Sequence, residues 1–134
     1  MKTFNQPEAR SDLQVEQILR EARRLIEAGW CQGAAAKDCG GRAVDPGSPA
    51  AVRFDPLGAI ERAALNLFRG DGRYLVQNYY KGFYALAWGL HTGAAMTAWN
   101  NAPARRLADV LARFDRAIEQ SAQPPVPHAP KMAA

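Results

Sequence analysis

The sequence predicts an all-α fold, a small four-helix domain built around a buried aromatic helix, with one long irregular loop. The first observation is the stretch 74–90, which holds all four tyrosines of the chain. Its apolar residues occupy most of the helix circumference, and a helix that is apolar all round is a buried one. The second observation is that three other segments repeat apolar residues at helical spacing. At 134 residues the chain is expected to form one domain, residues 11–120.

The first helix is predicted to begin at Ser11 or Asp12, since both residue types are good N-caps. Apolar residues then recur at positions 15, 18, 19, 22, 25 and 26. Gly29 is expected to end the helix as its left-handed C′ residue, with Trp30 folding back onto the helix end. Residues 1–10 are expected to be a flexible arm.

Residues 31–53 are the predicted irregular loop, because glycines, Asp-Pro and Ser-Pro punctuate them. Ordered loops of this length are uncommon in small domains and often carry function. Asp55 followed by Pro56 is a start signal for the second helix. Apolar residues at 57, 60, 64, 67 and 68 form the stripe of that helix.

The last helix is predicted to follow a short loop that leads to Trp99. Asn100 or Asn101 is expected to be its N-cap, with Pro103 in its first turn. Apolar residues at 107, 110, 111, 114, 117 and 118 give the most regular helical period in the chain. Residues 121–134 are rich in proline and are expected to be a disordered tail.

Composition narrows the function classes without selecting one. The net charge of +4 is too small, and lysine too scarce, for the dense basic face of a typical DNA-binding domain. Nucleic-acid binding therefore stays a weaker alternative, carried by arginines of the last helix: Arg105, Arg106, Arg113 and Arg116. The aromatic helix is too short and too polar to span a bilayer comfortably. Without a recognisable signal peptide, the sequence predicts a cytoplasmic location, and it predicts no cofactor.

Cys31 and His91 are the nucleophile and base of a possible thiol-dependent enzyme, with Asn100 orienting the histidine. The simpler interpretation makes Cys31 a small buried apolar residue and His91 a cation at a helix C-terminus. Cys31, Cys39 and His91 could also bind a metal with Asp38. The spacing of the two cysteines is not that of a usual zinc site, so no metal is predicted.

The leading expectation is a small non-enzymatic binding or accessory module that uses the loop 31–53 and the edge formed by residues 99–106. Its partner is an unidentified protein or small molecule, and its oligomeric state is left open. Tyrosines of the aromatic helix need hydrogen-bond partners, so some are expected to reach a cleft. The predicted ligand-binding residues are Trp30, Tyr80, Tyr84, Trp99, Asn100 and Arg105.

Four blocks of residues carry a resemblance to a known family. They are GWCQG at 29–33; AVRF at 51–54 with LGAI at 57–60; WN at 99–100 with Pro103 and Arg105; and VL at 110–111 with FDRAI at 114–118. Over residues 25–118 the chain resembles a family of uncharacterised small bacterial and phage proteins, which implies no activity. Relatives often carry cysteine in place of Asp55 and aspartate in place of Asn101. The resemblance therefore lends no support to a catalytic or metal role at these two positions.

Overall fold

The computed structural model describes residues 7–68, 81–83, 85–86 and 92–122. This part of the chain is mainly helical, and no helix within it has the length and apolar character that crossing a membrane requires. The elements in chain order are α1 (Pro7–Ala28), β1 (Ala36–Lys37), β2 (Arg53–Phe54), α2 (Pro56–Phe68), α3 (Gly93–Asn101) and α4 (Leu107–Ala122). The all-α expectation needs one correction, because the long loop contains a small two-stranded sheet.

The core lies where α1 packs against both α2 and α4. The apolar stripes predicted from sequence point inward, so that Ile18, Ile60 and Phe114 are completely buried. A stripe of this width is what drives an isolated amphipathic helix into a bundle. The other fully buried large side chains of the core are Leu19, Ile26, Leu86, Met96 and Val110.

Residues 81–83 and 85–86 are helical and belong to the predicted aromatic helix. Phe83 and Leu86 are buried, and Gly82 lies between α1 and α2. A Cβ on Gly82 would stand 3.1 Å from both Ile18 and Ile60, so the absence of a side chain allows the close approach. The rest of this predicted helix, including Tyr80 and Tyr84, lies outside the described residues.

The ends of α1 differ from the prediction. The helix begins at Pro7, four residues before Ser11. It ends at Ala28, but the backbone of Gly29 is not left-handed, so the predicted C′ role of this glycine is wrong. Glycine is required there for space, because a Cβ would collide with the carbonyl oxygen of Val52.

The helix α3 was missed, because its alanine-rich sequence carries too few large apolar residues to show a stripe. Thr92 is its N-cap, with a side chain that accepts a hydrogen bond of 3.0 Å from the backbone N–H of Ala95. Asn100 and Asn101 close this helix. Their predicted role as N-cap of the last helix is therefore wrong.

The helix α4 begins at Leu107, later than predicted. Its start is stabilised by Asp109, whose carboxylate accepts the backbone N–H of Arg106 at 2.9 Å. This is the half of a capping box in which the side chain at N3 accepts the N–H of the N-cap residue. Pro103, Arg105 and Arg106 all precede the helix, so the prediction of Pro103 in its first turn is wrong.

Backbone hydrogen bonds organise the loop between α1 and α2. The strands β1 and β2 are antiparallel, with Ala36 opposite Phe54. Two further hydrogen bonds join Phe54 to the chain that follows α1. The Cys31 N–H donates to the Phe54 carbonyl at 3.1 Å, and the Phe54 N–H donates to the Gly29 carbonyl at 3.0 Å. The guanidinium of Arg62 on α2 donates to the carbonyls of Pro46 and Ser48, both at 2.8 Å. The loop is thereby fixed to both helices.

Candidate functional site

Asn100 fastens the end of α3 to the chain that leaves α1. Its side chain is completely buried. The Oδ1 atom accepts the indole N–H of Trp30 at 2.8 Å, and the Nδ2 atom donates to the carbonyl of Cys31 at 3.2 Å. A buried amide that satisfies an indole donor and a backbone acceptor at once fixes both partners in place.

Gln32 and Asn101 extend the same junction. The side-chain amide of Gln32 donates to the carbonyls of Asn100 at 2.7 Å and Ala102 at 3.1 Å, which end α3. The Oδ1 atom of Asn101 accepts the backbone N–H of Gly33 at 3.0 Å. We call residues 30–33 with 100–102 the Trp30–Asn100 junction.

Asp55 is buried where β2 turns into α2. Its carboxylate accepts the backbone N–H of Gly58 at 2.7 Å, as an N-cap does, which matches the predicted helix start. Burial raises the pKa of the Asp55 carboxyl, although hydrogen bonds from the N–H groups of Gly58 and Leu57 lower it. The hydrogen bonds that the Asp55 carboxylate accepts are those of a helix N-cap.

Cys31 faces the interior, and its thiol donates to the carbonyl of Ala34 at 3.4 Å. Burial raises the pKa of this thiol, the Asp55 carboxylate raises it further, and the charges of Lys37 and Arg53 lower it. A thiol with a raised pKa supplies little thiolate at neutral pH. His91, the predicted base, lies outside the described residues.

The second cysteine and its neighbour Asp38 lie in an exposed turn. Cys39 is exposed, and both cysteines are free thiols. The carboxylate of Asp38 accepts the backbone N–H groups of Gly40 and Arg42, both at 2.9 Å. Within the described ranges no three His, Cys, Asp or Glu side chains converge as metal ligands.

Trp99 is held by two arginines. The guanidinium carbon of Arg105 lies 4.0 Å from the centre of the indole, and that of Arg113 lies 4.5 Å from it. Both distances are within the range of cation–π attraction. Arg105 Nε also donates to the carbonyl of Trp99 at 2.8 Å, and Arg113 Nη1 donates to the carbonyl of Leu86 at 3.0 Å. The two guanidinium groups are thus fixed by both π and hydrogen-bond contacts.

A groove of about 270 Å³ opens beside Trp99. Ala85 and Leu86 line one wall together with Trp99, and one face of α4 forms the other. The described lining residues of α4 recur at helical spacing: Asp109, Ala112, Arg113, Arg116, Ala117 and Gln120. We call this the Trp99 groove. Its described lining combines small apolar side chains with charged and amide groups.

Positive charge is concentrated at the Trp99 groove. Burial lowers the pKa of the Arg113 guanidinium, and the charges of Arg105 and Arg116 lower it further. The carboxylate of Asp109, which also lines the groove, lies 3.9 Å from the guanidinium of Arg106. The positive charge of Arg113 is thus disfavoured first by burial and then by its two arginine neighbours.

The predicted site residues fall into two neighbouring places. Trp30 and Asn100 belong to the junction, whereas Trp99 and Arg105 belong to the groove side of α3. Tyr80, Tyr84 and His91 lie outside the described residues. Sequence reasoning did not single out Gln32, although it lies in the predicted binding loop and in the GWCQG block. It named Arg113 and Arg116 only for nucleic acid, although the recurrence at 109, 113, 116 and 120 shows that they share a helix face.

No curated protein and no solved structure matches the chain significantly. Residues 10–120 match a family described as a family of unknown function, DUF6197. The match runs from the first turn of α1 through most of α4, and so includes both the junction and the described lining of the groove. The chain therefore belongs to the DUF6197 family.

Proposed function

We propose that the protein is a non-enzymatic binding module whose Trp99 groove, with the adjoining edge of residues 99–106, takes an anionic ligand. The observation that carries the proposal is the cluster of Arg113 and Arg116 in a groove walled by Trp99. Tryptophan and arginine are the residues most enriched among those that dominate binding energy. The bacterial or phage origin and the cytoplasmic location, both predicted from the sequence, are part of this proposal.

Pre-organisation supports binding at the groove. Arg113 is anchored to the carbonyl of Leu86 and stacks on the indole, so its rotamer is fixed before any ligand arrives. A side chain that is already ordered loses less entropy on binding. Fixed guanidinium groups therefore favour a ligand with negative charge over an uncharged ligand of the same shape.

The loop 31–53 takes a supporting role in this proposal. Its backbone pairs with β2 and with its own turns, and Arg62 holds it on α2. The junction it forms with Asn100 fixes the last turn of α3, which carries Trp99. The loop thus positions the groove wall.

The test is a titration of isotopically labelled protein with three small molecules of one shape, followed by NMR. The probes are 3-phenylpropionate, its neutral amide, and the cation 3-phenylpropylamine, with phenyl phosphate as a second anion. We expect either anion to shift the indole N–H of Trp99 and the Nε–H of Arg113, and the amide and cation to shift them far less. The Trp99 indole signal is assigned with Trp99→Phe.

Arg113→Met should remove most of the response to the anions, and Arg113→Lys should retain part of it. Arg20→Met is the matched control, because Arg20 is an exposed arginine of α1 paired with Glu16, away from the groove. Equal shifts from the anion, amide and cation, or shifts that survive in Arg113→Met, would contradict the proposal. An oligothymidylate that shifts the whole α4 face more strongly than either small anion would favour nucleic acid instead.

A further inference from the structure

We infer that the small sheet of the loop 31–53 carries an anion site, in which Lys37 and Arg53 together hold one phosphate monoester group. This site is separate from the Trp99 groove and goes beyond the function proposed above. Three observations carry the inference: the register of the two cations, the lack of a counter-charge for them, and the backbone on which they lie.

Lys37 and Arg53 lie directly opposite each other, because the antiparallel register of β1 and β2 pairs them. Opposite residues of an antiparallel pair have Cβ atoms about 4.5–5.5 Å apart on one face of the sheet. The other opposed pair, Ala36 and Phe54, is buried in the core, and successive residues of a strand point to opposite faces. The two cations therefore share the outer face of the sheet, where like charges in opposite positions repel each other.

Lys37 and Arg53 have no ionic partner within the part of the chain that the structure describes. The carboxylates that follow them in the sequence are engaged elsewhere. Asp38 accepts two backbone N–H groups of its own turn and lies 3.5 Å from the guanidinium of Arg42. Asp55 is buried as the cap of α2. An anion bound between the two cations would therefore replace a repulsion by two attractions.

Both cations lie against the chain segment 29–33. A Cβ on Gly29 would stand 3.2 Å from the Cγ atom of Arg53, and a Cβ on Gly33 would stand 4.0 Å from the Nζ atom of Lys37. Burial raises the pKa of the Cys31 thiol, and the charges of Lys37 and Arg53 lower it, so both charges act on the middle of this segment. The segment thus provides a packed surface over which the two positive charges converge.

A phosphate monoester matches this pair better than a carboxylate does. It carries about −1.5 to −2 charges at neutral pH and so offsets both cations, whereas a carboxylate offsets one. An ammonium binds phosphate as a point charge, and a guanidinium binds two of its oxygens through parallel N–H donors. Next to Gly33, the backbone N–H of Ala34 donates to no acceptor among the described residues and supplies a further donor. A nucleic-acid backbone, by contrast, needs a longer track of cations than one pair.

The experiment titrates isotopically labelled protein with glycerol phosphate, sulfate and acetate at constant ionic strength, and follows the backbone amides by NMR. At about pH 7.5 we expect glycerol phosphate to shift the amides of Ala34, Lys37 and Arg53, and to bind at least about fivefold more tightly than acetate. At about pH 5.5, below the second pKa of a phosphate monoester at about 6, its binding should weaken at least about threefold. Sulfate, a dianion at both pH values, should bind equally at both.

Lys37→Glu places opposite charges across the two strands. It should abolish binding of glycerol phosphate and raise the urea concentration at the midpoint of unfolding, because the repulsion becomes an attraction. Arg53→Lys keeps the charge without the planar fork and should weaken binding only in part. Arg42→Gln is the matched control, because Arg42 is an exposed arginine of the same loop that pairs with Asp38, and it should change binding by less than about twofold. Saturating glycerol phosphate should raise the midpoint of the wild type but not that of Lys37→Glu.

Acetate binding as tight as that of glycerol phosphate, or binding that survives in Lys37→Glu, would overturn the site. Sulfate binding that changes with pH as much as that of glycerol phosphate would overturn the match to a dianion. A blocked peptide with one phosphoserine identifies the source: tighter binding than glycerol phosphate assigns the group to a phosphorylated partner protein, and equal binding assigns it to a small phosphate ester. The proposed function fails separately, because the Trp99 indole reports on the groove and the amides of the loop report on the sheet.

Discussion

Asn100 joins the end of α3 to the chain that leaves α1, because its buried amide has both a donor and an acceptor partner there. Asn100→Ala leaves the indole N–H of Trp30 and the carbonyl of Cys31 without partners. We expect a loss of roughly 2–4 kcal/mol in the free energy of unfolding, since each buried unsatisfied group costs about 1–3 kcal/mol. Urea melts measure the loss, with Gln17→Ala on the exposed face of α1 as the control. A loss below that of the control would show that the junction is dispensable.

Asp55 gives the protein a pH dependence of predictable sign. Because its pKa in the folded state is raised, the folded protein keeps this proton to higher pH than the unfolded chain, whose value is near 3.8. The stability linked to this proton is full below pH 3.8 and is lost as pH rises through the raised pKa. Asp55→Asn keeps an N-cap side chain and cannot ionise.

Unfolding free energies of the wild type and Asp55→Asn, measured across the acidic range, should therefore diverge. The free energy of unfolding of the variant should increase relative to that of the wild type as pH rises from below 3.8 towards neutrality. Asp55→Ser, another capping residue without a charge, should behave like Asp55→Asn. If the wild type instead became more stable than both variants with rising pH, the N-terminus of α2 would stabilise the carboxylate more than burial destabilises it.

The two thiols should differ in reactivity. Burial raises the pKa of Cys31 from 9.0, and its thiol donates to Ala34. In folded protein, iodoacetamide should therefore modify exposed Cys39 first, and Cys31 only at higher pH or after unfolding. Mass spectrometry of tryptic peptides resolves the two rates. Rapid modification of Cys31 near pH 6 that His91→Ala abolishes would favour a thiol enzyme over a binding module.

At the scale of elements, two helix ends are joined to the loop by glycines that leave no room for a side chain. A Cβ on Gly58, in the first turn of α2, would collide with the carbonyl of Ala35. Replacing a helical glycine by alanine ordinarily stabilises a protein by about 0.5–1 kcal/mol. Here we expect the opposite sign, with a loss of roughly 1–3 kcal/mol or more from overpacking.

Thermal and urea unfolding of Gly58→Ala measures that effect. Gly40→Ala is the control, because its Cβ would meet only ordinary contacts and its backbone is not left-handed. Stabilisation of the protein by Gly58→Ala would show that the loop moves away from α2 without cost.

Element by element, the sequence predicted most of the helices and little of what joins them. The stripes of α1, α2 and α4 were visible because amphipathic periodicity survives any tertiary context. The start of α2 was visible because Asp55 and Pro56 act locally. The helix α3 was missed, since an alanine-rich segment is held by the Thr92 cap and by its neighbours, without a stripe of its own. The sheet was missed because strands of two residues have no period.

The candidate site could be predicted from the sequence only in part, because only its local features leave a pattern. Trp99 and Arg105 stood out as an aromatic and a cation close together in sequence. The contact of Trp99 with Arg113, and that of Trp30 with Asn100 across 70 residues, depend on how the helices pack. No local signal in a single sequence specifies such distant pairs.

At the scale of the whole molecule, apolar packing between α1 and α4 outweighs their ion pair. Phe114 is completely buried, whereas the 2.6 Å contact of Arg23 with Asp115 joins side chains that are 29% and 58% exposed. Phe114→Ala should cost about 3–5 kcal/mol. Asp115→Ala, at the next position of the same helix, should cost under about 1 kcal/mol, and less at high salt. Comparable losses in urea melts would mean that the ion pair, and not the core, joins the two helices.

The pairing of α1 with α4 also constrains how the protein is made. Arg23 and its partner Asp115 are 92 residues apart in the chain. During translation, α1 therefore emerges long before the helix that covers one of its apolar faces, and contacts of such long sequence separation form slowly. Until the ribosome has delivered α4, Ile18 and its neighbours lack part of their apolar cover, and exposed apolar surface of this kind is prone to aggregation.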